Sequence, residues 1–371
     1  MFQSNRILKA IIMVVLIASI LTACMDNIIE ETPPLPEIEP IERISYLEIG
    51  NLELPVDGAT GYTSTVMELK REASVASETI DTLEAGTAFR ITEENGDWWR
   101  IENHTATGWL EHRYCMINLP DVIPSIVYDL TNTYGSKLVS SGKPIPSVTG
   151  ETLYEGRAYN ERFGENQYVV LVLYPMAEKI CLAQQEALKE GNSLKIYEAY
   201  RPYAAQKAIL LGLTDLAERD PEVMNGINTP PWETKWFIAT GYSNHQRGAA
   251  IDVSLVKVDE RVEAYVGEYL YPKIVRYSEY AMPTQIHELS SASAVFTAPI
   301  SSYSRTDWQS AVLADSMNVA AVSLQRYCTN ALLTPLASEW WHFNDLDVLE
   351  SAAGFLGSGD FSPNQGYSVP L

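Results

Sequence analysis

Two short stretches of this chain gather residue types that do chemistry when they meet. The first is Ser243-Asn244-His245-Gln246-Arg247-Gly248-Ala249-Ala250-Ile251-Asp252, and the second is Glu339-Trp340-Trp341-His342. Two imidazoles and one carboxylate are a standard set of three protein ligands for a catalytic zinc ion, with the fourth position left to water. Zinc brings the pKa of such a water down to about 7. His245, Asp252 and His342 would supply that set, and Glu339 adds a carboxylate able to act as general base. Taken singly, each fragment reads more readily as packing. A histidine near a strand is most often a hydrogen-bonded structural residue, and a tryptophan pair is most often core. The two fragments together, each with its own internal spacing, favour the metal site.

The neighbouring sequence must position these groups. Ala249 to Leu255 reads as a strand, with Ala250, Asp252 and Ser254 on one face and Ile251, Val253 and Leu255 on the other. Gly248 permits a turn that lets His245 lean back toward Asp252, and Ala249 and Ala250 leave room. Glu339 and His342 would point oppositely from a regular strand, so a bend is expected there. Gln167 to Tyr174 and Leu194 to Tyr200 read as strands. Ala177 to Lys189 reads as a helix stopped at Gly191, and Pro202 opens a second helix from Tyr203 to about Glu218. Trp308 to about Leu333 reads as mostly helical, Ser290 to Arg305 as loop, and Gly354 to Leu371 as a loosely held end. Interleaved helices and strands of this kind predict an α+β domain over residues 120–371.

The order Ser-x-His-x-x-Gly-x-Ala-x-Asp followed by Glu-x-Trp-His resembles the zinc D-alanyl-D-alanine peptidases of the cell wall. The Glu-Trp-Trp-His form looks most like the dipeptidase branch associated with vancomycin resistance. Glu198-Ala199-Tyr200-Arg201-Pro202 resembles the Asp-Gly-Tyr-Arg-Pro segment of those dipeptidases, departing at Glu198 and Ala199. The resemblance covers roughly Val127 to Asp345. It implies that His245, Asp252 and His342 bind one zinc ion, that Glu339 is base and acid, that Arg201 stabilises the transition state and that Ser243 helps bind substrate. It also implies an acidic residue that clamps the free amino end of a dipeptide. In the comparable stretch, Met282-Pro283-Thr284-Gln285-Ile286-His287-Glu288, His287 stands where that acid is expected, with Glu288 one step on. Without the clamp longer peptides could enter, and the enzyme would act as a carboxypeptidase.

A different text precedes this domain. Residues 46–119 alternate in short runs, with a hairpin signal at Asn95-Gly96, a return strand at Trp98-Trp99-Arg100-Ile101 and another at Gly108-Trp109-Leu110. The order resembles a bacterial SH3-like domain, which implies a small all-β barrel and often cell-wall peptides as ligands. A spacer whose tryptophans are core is the other reading, and His104 and His112 read as loop or surface histidines.

The first 23 residues read as an export signal: Arg6 and Lys9, an apolar stretch from Ala10 to Leu21, then Leu21-Thr22-Ala23-Cys24, which resembles a bacterial lipobox. Cys24 is the expected lipidation site, and residues 24–45, rich in Pro and Glu, are the expected tether. The 371-residue chain carries 26 Lys and Arg against 48 Asp and Glu, a formal charge of −22, which argues against a nucleic-acid binder. Three cysteines beyond Cys24 cannot all pair with one another, so either one bridge or three buried thiols is expected.

The expectation is a lipid-anchored zinc metallopeptidase on the outer face of a bacterial membrane, hydrolysing D-alanyl-D-alanine in the first instance. The alternatives are a D,D- or L,D-carboxypeptidase trimming peptidoglycan stem peptides, and an inert wall-binding lipoprotein.

Overall fold

The computed structural model describes residues 45–371 except 355, 356 and 358. The export signal, Cys24 and the tether up to residue 44 lie outside the described residues. Among the described residues no helix is long and apolar enough to cross a membrane.

Eight strands form the first sheet: β1 (Thr60–Thr63), β2 (Met67–Lys70), β3 (Thr79–Leu83), β4 (Ala88–Asn95), β5 (Trp98–Glu102), β6 (Thr107–Glu111), β7 (Cys115–Asn118) and, from further along the chain, Leu171–Leu173. The hairpin signal at Asn95-Gly96 is the β4–β5 turn, with Asn95 opposite Trp98. Trp99, Ile101, Leu110, Phe89 and Leu69 are fully buried, as alternation along the strands requires. The pairing follows a path that ends at β3 on one side and Leu171–Leu173 on the other. The latter segment covers the edge of β7.

A short helix, α1 (Leu119–Val122), leads into β8 (Val127–Tyr128), the two small hairpins β9 (Val139–Ser140) with β10 (Lys143–Pro144) and β11 (Arg157–Asn160) with β12 (Glu165–Tyr168), and then β13, the Leu171–Leu173 segment. The single strand expected over Gln167–Tyr174 is thus two pieces in different sheets. Next come α2 (Tyr174–Lys189), β14 (Asn192–Glu198), α3 (Tyr203–Arg219), α4 (Pro221–Ile227), a long hairpin of β15 (Ala250–Val266) and β16 (Tyr269–Glu279), α5 (Val319–Asn330), β17 (Thr334–Leu336), β18 (Glu339–Asn344) and α6 (Leu346–Ser351). The helix expected from Trp308 begins only at Val319, where the Asn318 side chain accepts from Ala321 N–H as an N-cap.

The second sheet runs β17-β18-β15-β14-β8, with β16 also pairing β15. Helices cover it, so the first seven residues of β15 and all of β14 are buried. One continuous core joins the two sheets, from Leu69 and Trp99 through Ile117 and Val172 to Ile196 and Trp341. Cys115, Cys181 and Cys328 are three free, buried thiols, and burial pushes each thiol pKa up.

The end of the chain is not loose. Phe361 stacks on Tyr200 with ring centroids 4.4 Å apart, Tyr203 N–H donates to Gly359 O at 2.8 Å, and Val369 N–H donates to Gly58 O at 3.0 Å. The Gly, Ser and Pro content that suggested mobility hides these apolar anchors.

Candidate metal centre

Antiparallel pairing places His342 of β18 opposite Asp252 of β15, and Asp252 opposite Glu198 of β14. Two irregularities aim these side chains. A register shift between Ile196 and Glu198 turns Glu198 toward Asp252. On the other side, Leu336 pairs Glu339 while Pro335 pairs Phe343, so Trp340, Trp341 and His342 bulge between the paired residues. That bulge is the expected bend, and it brings Glu339 Oε2 to 3.8 Å from His342 Nδ1. His245 arrives from the loop before β15. Gly248 there has φ +68°, which strains other residues, and a Cβ on it would lie 2.8 Å from Met116 Cε and push that side chain aside.

His245 Nε2 lies 3.2 Å from His342 Nδ1 and 3.4 Å from Asp252 Oδ1, and His342 Nδ1 is 3.0 Å from Asp252 Oδ1. Ligand atoms about 2.0–2.1 Å from a tetrahedral ion stand about 3.3–3.4 Å apart, so the three positions already match such an ion. The opposite ring nitrogens fix the tautomers. His245 Nδ1 donates to the Ala199 carbonyl at 2.6 Å, and His342 Nε2 donates to Asn344 Oδ1 at 3.1 Å. Asn344 Oδ1 also accepts from Asn244 Nδ2 at 2.8 Å, which sets its orientation. Each neutral ring then turns an unprotonated nitrogen inward, toward a carboxylate oxygen. Three acceptors in mutual contact form a set that a cation between them would satisfy. All three residues are buried. This group can hold a metal ion.

Burial pulls the His245 pKa below its ordinary value. Burial also lowers that of His342, but Asp252 outweighs it and the net shift is upward. Burial alone would raise the Asp252 carboxyl, yet the imidazoles around it, His245 foremost, hold it well below the usual range. Burial pushes Glu339 up to about 8, with His342 opposing the shift.

Arg201 follows β14 and is buried. It pairs through Nη1 with Glu198 and donates through Nη2 to Gln206 at 2.8 Å, while its Nε has no hydrogen-bond partner. Burial would lower its pKa, but Glu198 raises it further, so the guanidinium stays charged. Ser243 donates from N–H and Oγ to Gln246 Oε1 at 2.7 and 2.8 Å. Arg201, Ser243, Glu339 and the three candidate ligands all line one cavity of about 420 Å³.

Some of this was not read in the sequence. Asn344 lies two residues beyond His342 on the same strand face, a periodicity that was there to see. Glu198, noted only as a departure, is the ion-pair partner of Arg201. It forms with Asp252 and His287 a second cluster whose donor atoms lie within 4.8 Å of one another. Glu198 is already committed to Arg201, to Asn132 Nδ2 at 2.6 Å and to Tyr154 OH at 3.3 Å. His104 and His112 lie far along the chain in the first sheet region, where His112 contacts Gly96 O at 2.9 Å.

Residues 65–115 match the family model of the bacterial SH3 domain, and no curated protein matches the chain.

Proposed function

We propose that the chain is a zinc-dependent peptidase that hydrolyses the D-alanyl-D-alanine bond of cell-wall peptides. In this reading Cys24 carries the lipid anchor, and the SH3-like sheet engages the wall. The observation that carries it is the inward convergence of His245 Nε2, His342 Nδ1 and Asp252 Oδ1 with both tautomers fixed from behind. The resemblance over Val127–Asp345 supplies the substrate.

When bound, the ion supplies a Lewis acid for the scissile carbonyl and acidifies the attacking water. Glu339 takes the proton from that water as the new C–O bond forms, and returns it to the leaving amine as the C–N bond breaks. Burial lifts the Glu339 carboxyl to about 8 with no ion beside it, and a cation at the ligand position would draw it back toward the carboxylate form that accepts the proton. Arg201 holds a permanent charge on the cavity wall, where a developing oxyanion would gain most from it. Ser243, braced by Gln246, offers a polar edge to the substrate. The dipeptidase and the D,D- or L,D-carboxypeptidase share this chemistry and differ in the substrate around the bond. An inert wall-binding protein gives no reason for three facing acceptors.

Zinc-loaded wild type should hydrolyse a D-Ala-D-Ala terminus, and Glu339→Gln should keep its metal while losing about 10²–10⁴-fold in rate. Active protein that contains no metal, or a Glu339→Gln variant with full turnover, would overturn the proposal.

A further inference from the structure

The cavity has an unusual charge balance for a chain of net charge −22. Among the described residues its only carboxylates are Asp252 and Glu339, while Arg201, Lys235 and Arg247 are fixed cations. Asp252 faces the metal position, and Glu339 is the base. The two other acids nearby are committed elsewhere. Glu198 holds Arg201, and Glu288 accepts from the Ser141 and Gly142 backbone N–H groups at 2.6 and 2.9 Å. An ammonium group brought here would lose its water and find no free carboxylate.

A carboxylate fares differently. Arg247 sits half-buried on the loop that carries His245, and its one side-chain hydrogen bond goes to Asn244 Oδ1 at 3.4 Å. Arg247 lines the cavity, and that bond engages only one of its five donors. Lys235, by contrast, is exposed and paired with Glu233 at 2.9 Å. On the metal side, His287 is only 1% exposed, and neither ring nitrogen has an aligned hydrogen-bond partner. Its Nε2 stands 3.2 Å from Asp252 Oδ2, which leaves Nδ1 as the ring nitrogen without a nearby partner among the described residues. A neutral amide carbonyl would satisfy this imidazole.

We infer that the cavity seats the C-terminal end of a longer peptide: Arg247 binds the free carboxylate, and His287 takes the carbonyl that acylates the nitrogen of the penultimate residue. This rests on the peptidase reading and chooses within it the carboxypeptidase over the dipeptidase. The choice is testable by calorimetry on zinc-loaded Glu339→Gln protein. The probes are diacetyl-L-lysyl-D-alanyl-D-alanine, its C-terminal amide and free D-alanyl-D-alanine. The acylated acid should bind about 10–100-fold more tightly than either of the others. Adding Arg247→Gln should close the gap between acid and amide without changing the unfolding midpoint. Free dipeptide binding as tightly as the acylated acid, or an acid–amide gap that survives Arg247→Gln, overturns the inference. Loss of the peptidase reading itself would appear separately, as zinc-loaded wild type cleaving none of the three.

Discussion

Asn344 is the least conspicuous residue of the metal centre, and its replacement tests the tautomer argument directly. It is 2% exposed, and its Oδ1 receives His342 Nε2–H at 3.1 Å. Asn344→Leu keeps a similar volume and removes the acceptor. His342 Nε2–H is then buried without a partner, at a cost of about 1–3 kcal/mol. The ring can escape that cost by turning or by moving its proton to Nδ1, and either change removes the lone pair aimed at the metal. Outer hydrogen bonds of this kind are worth about 10–100-fold in metal affinity, or about 1.4–2.7 kcal/mol. The two scales overlap, so a 10–100-fold weaker zinc dissociation constant is expected. Asn344→Asp keeps an acceptor on the same atom and should hold affinity at or above wild type. Competition against a chromogenic chelator measures all three proteins. Wild-type affinity in Asn344→Leu, beside lost binding in His342→Ala, would show that the ring needs no support from behind, and the tautomer argument would fall.

Metal affinity should also depend on pH. His342 is raised above its ordinary value and must lose its proton to ligate, so zinc binding should weaken about tenfold per pH unit below about 6.5; a dissociation constant flat from pH 5 to 6.5 contradicts this. Glu53 gives a stability signature away from the site. It is buried against Ser125 and Gln185, and burial lifts its carboxyl to about 7. The folded state therefore binds its proton more tightly than the unfolded state. That contribution is fully present below about pH 4.5 and is lost as pH rises through about 7, a fall of up to about 3 kcal/mol. Denaturant titrations should show Glu53→Gln free of this slope; an unchanged slope would mean that the carboxyl is not held protonated.

The site was more legible than its setting. Residue types and spacings within two fragments named three facing ligands: His245 and Asp252 are local to one strand and the loop before it, and His342 comes from the strand paired beside it. The bend at Glu339–His342 followed from strand periodicity alone, although nothing in the sequence specified a three-residue bulge as its form. Glu198 and Asn344 escaped notice because their roles depend on cross-strand register, which a single sequence leaves open. The run Gln167–Tyr174 looked like one strand because alternation does not say where a chain leaves one sheet for another. The end of the chain misled through composition: Gly, Ser and Pro count toward looseness, whereas Phe361 and Val369 decide where the segment lies.

The sheet that contains the SH3-matching residues meets the loop that carries the candidate ligand His245. Leu173 N–H of β13 donates to Gly248 O at 2.8 Å, and β13 pairs β7 through Val172 and Ile117. Met116 of β7 fills the space that a Cβ on Gly248 would need. The loop carrying His245 and Arg247 is therefore braced by the edge of the first sheet. On the opposite flank, Phe361 lies between Tyr62 of β1 and Tyr200, the residue before Arg201. Arg201 and His245 each gain their position partly from strands whose sequence announces only a binding module. Close positioning of a base, a cation and ligands requires rigid support, because a displacement of about 1 Å can cost about 10²-fold in rate. The first sheet supplies part of that support.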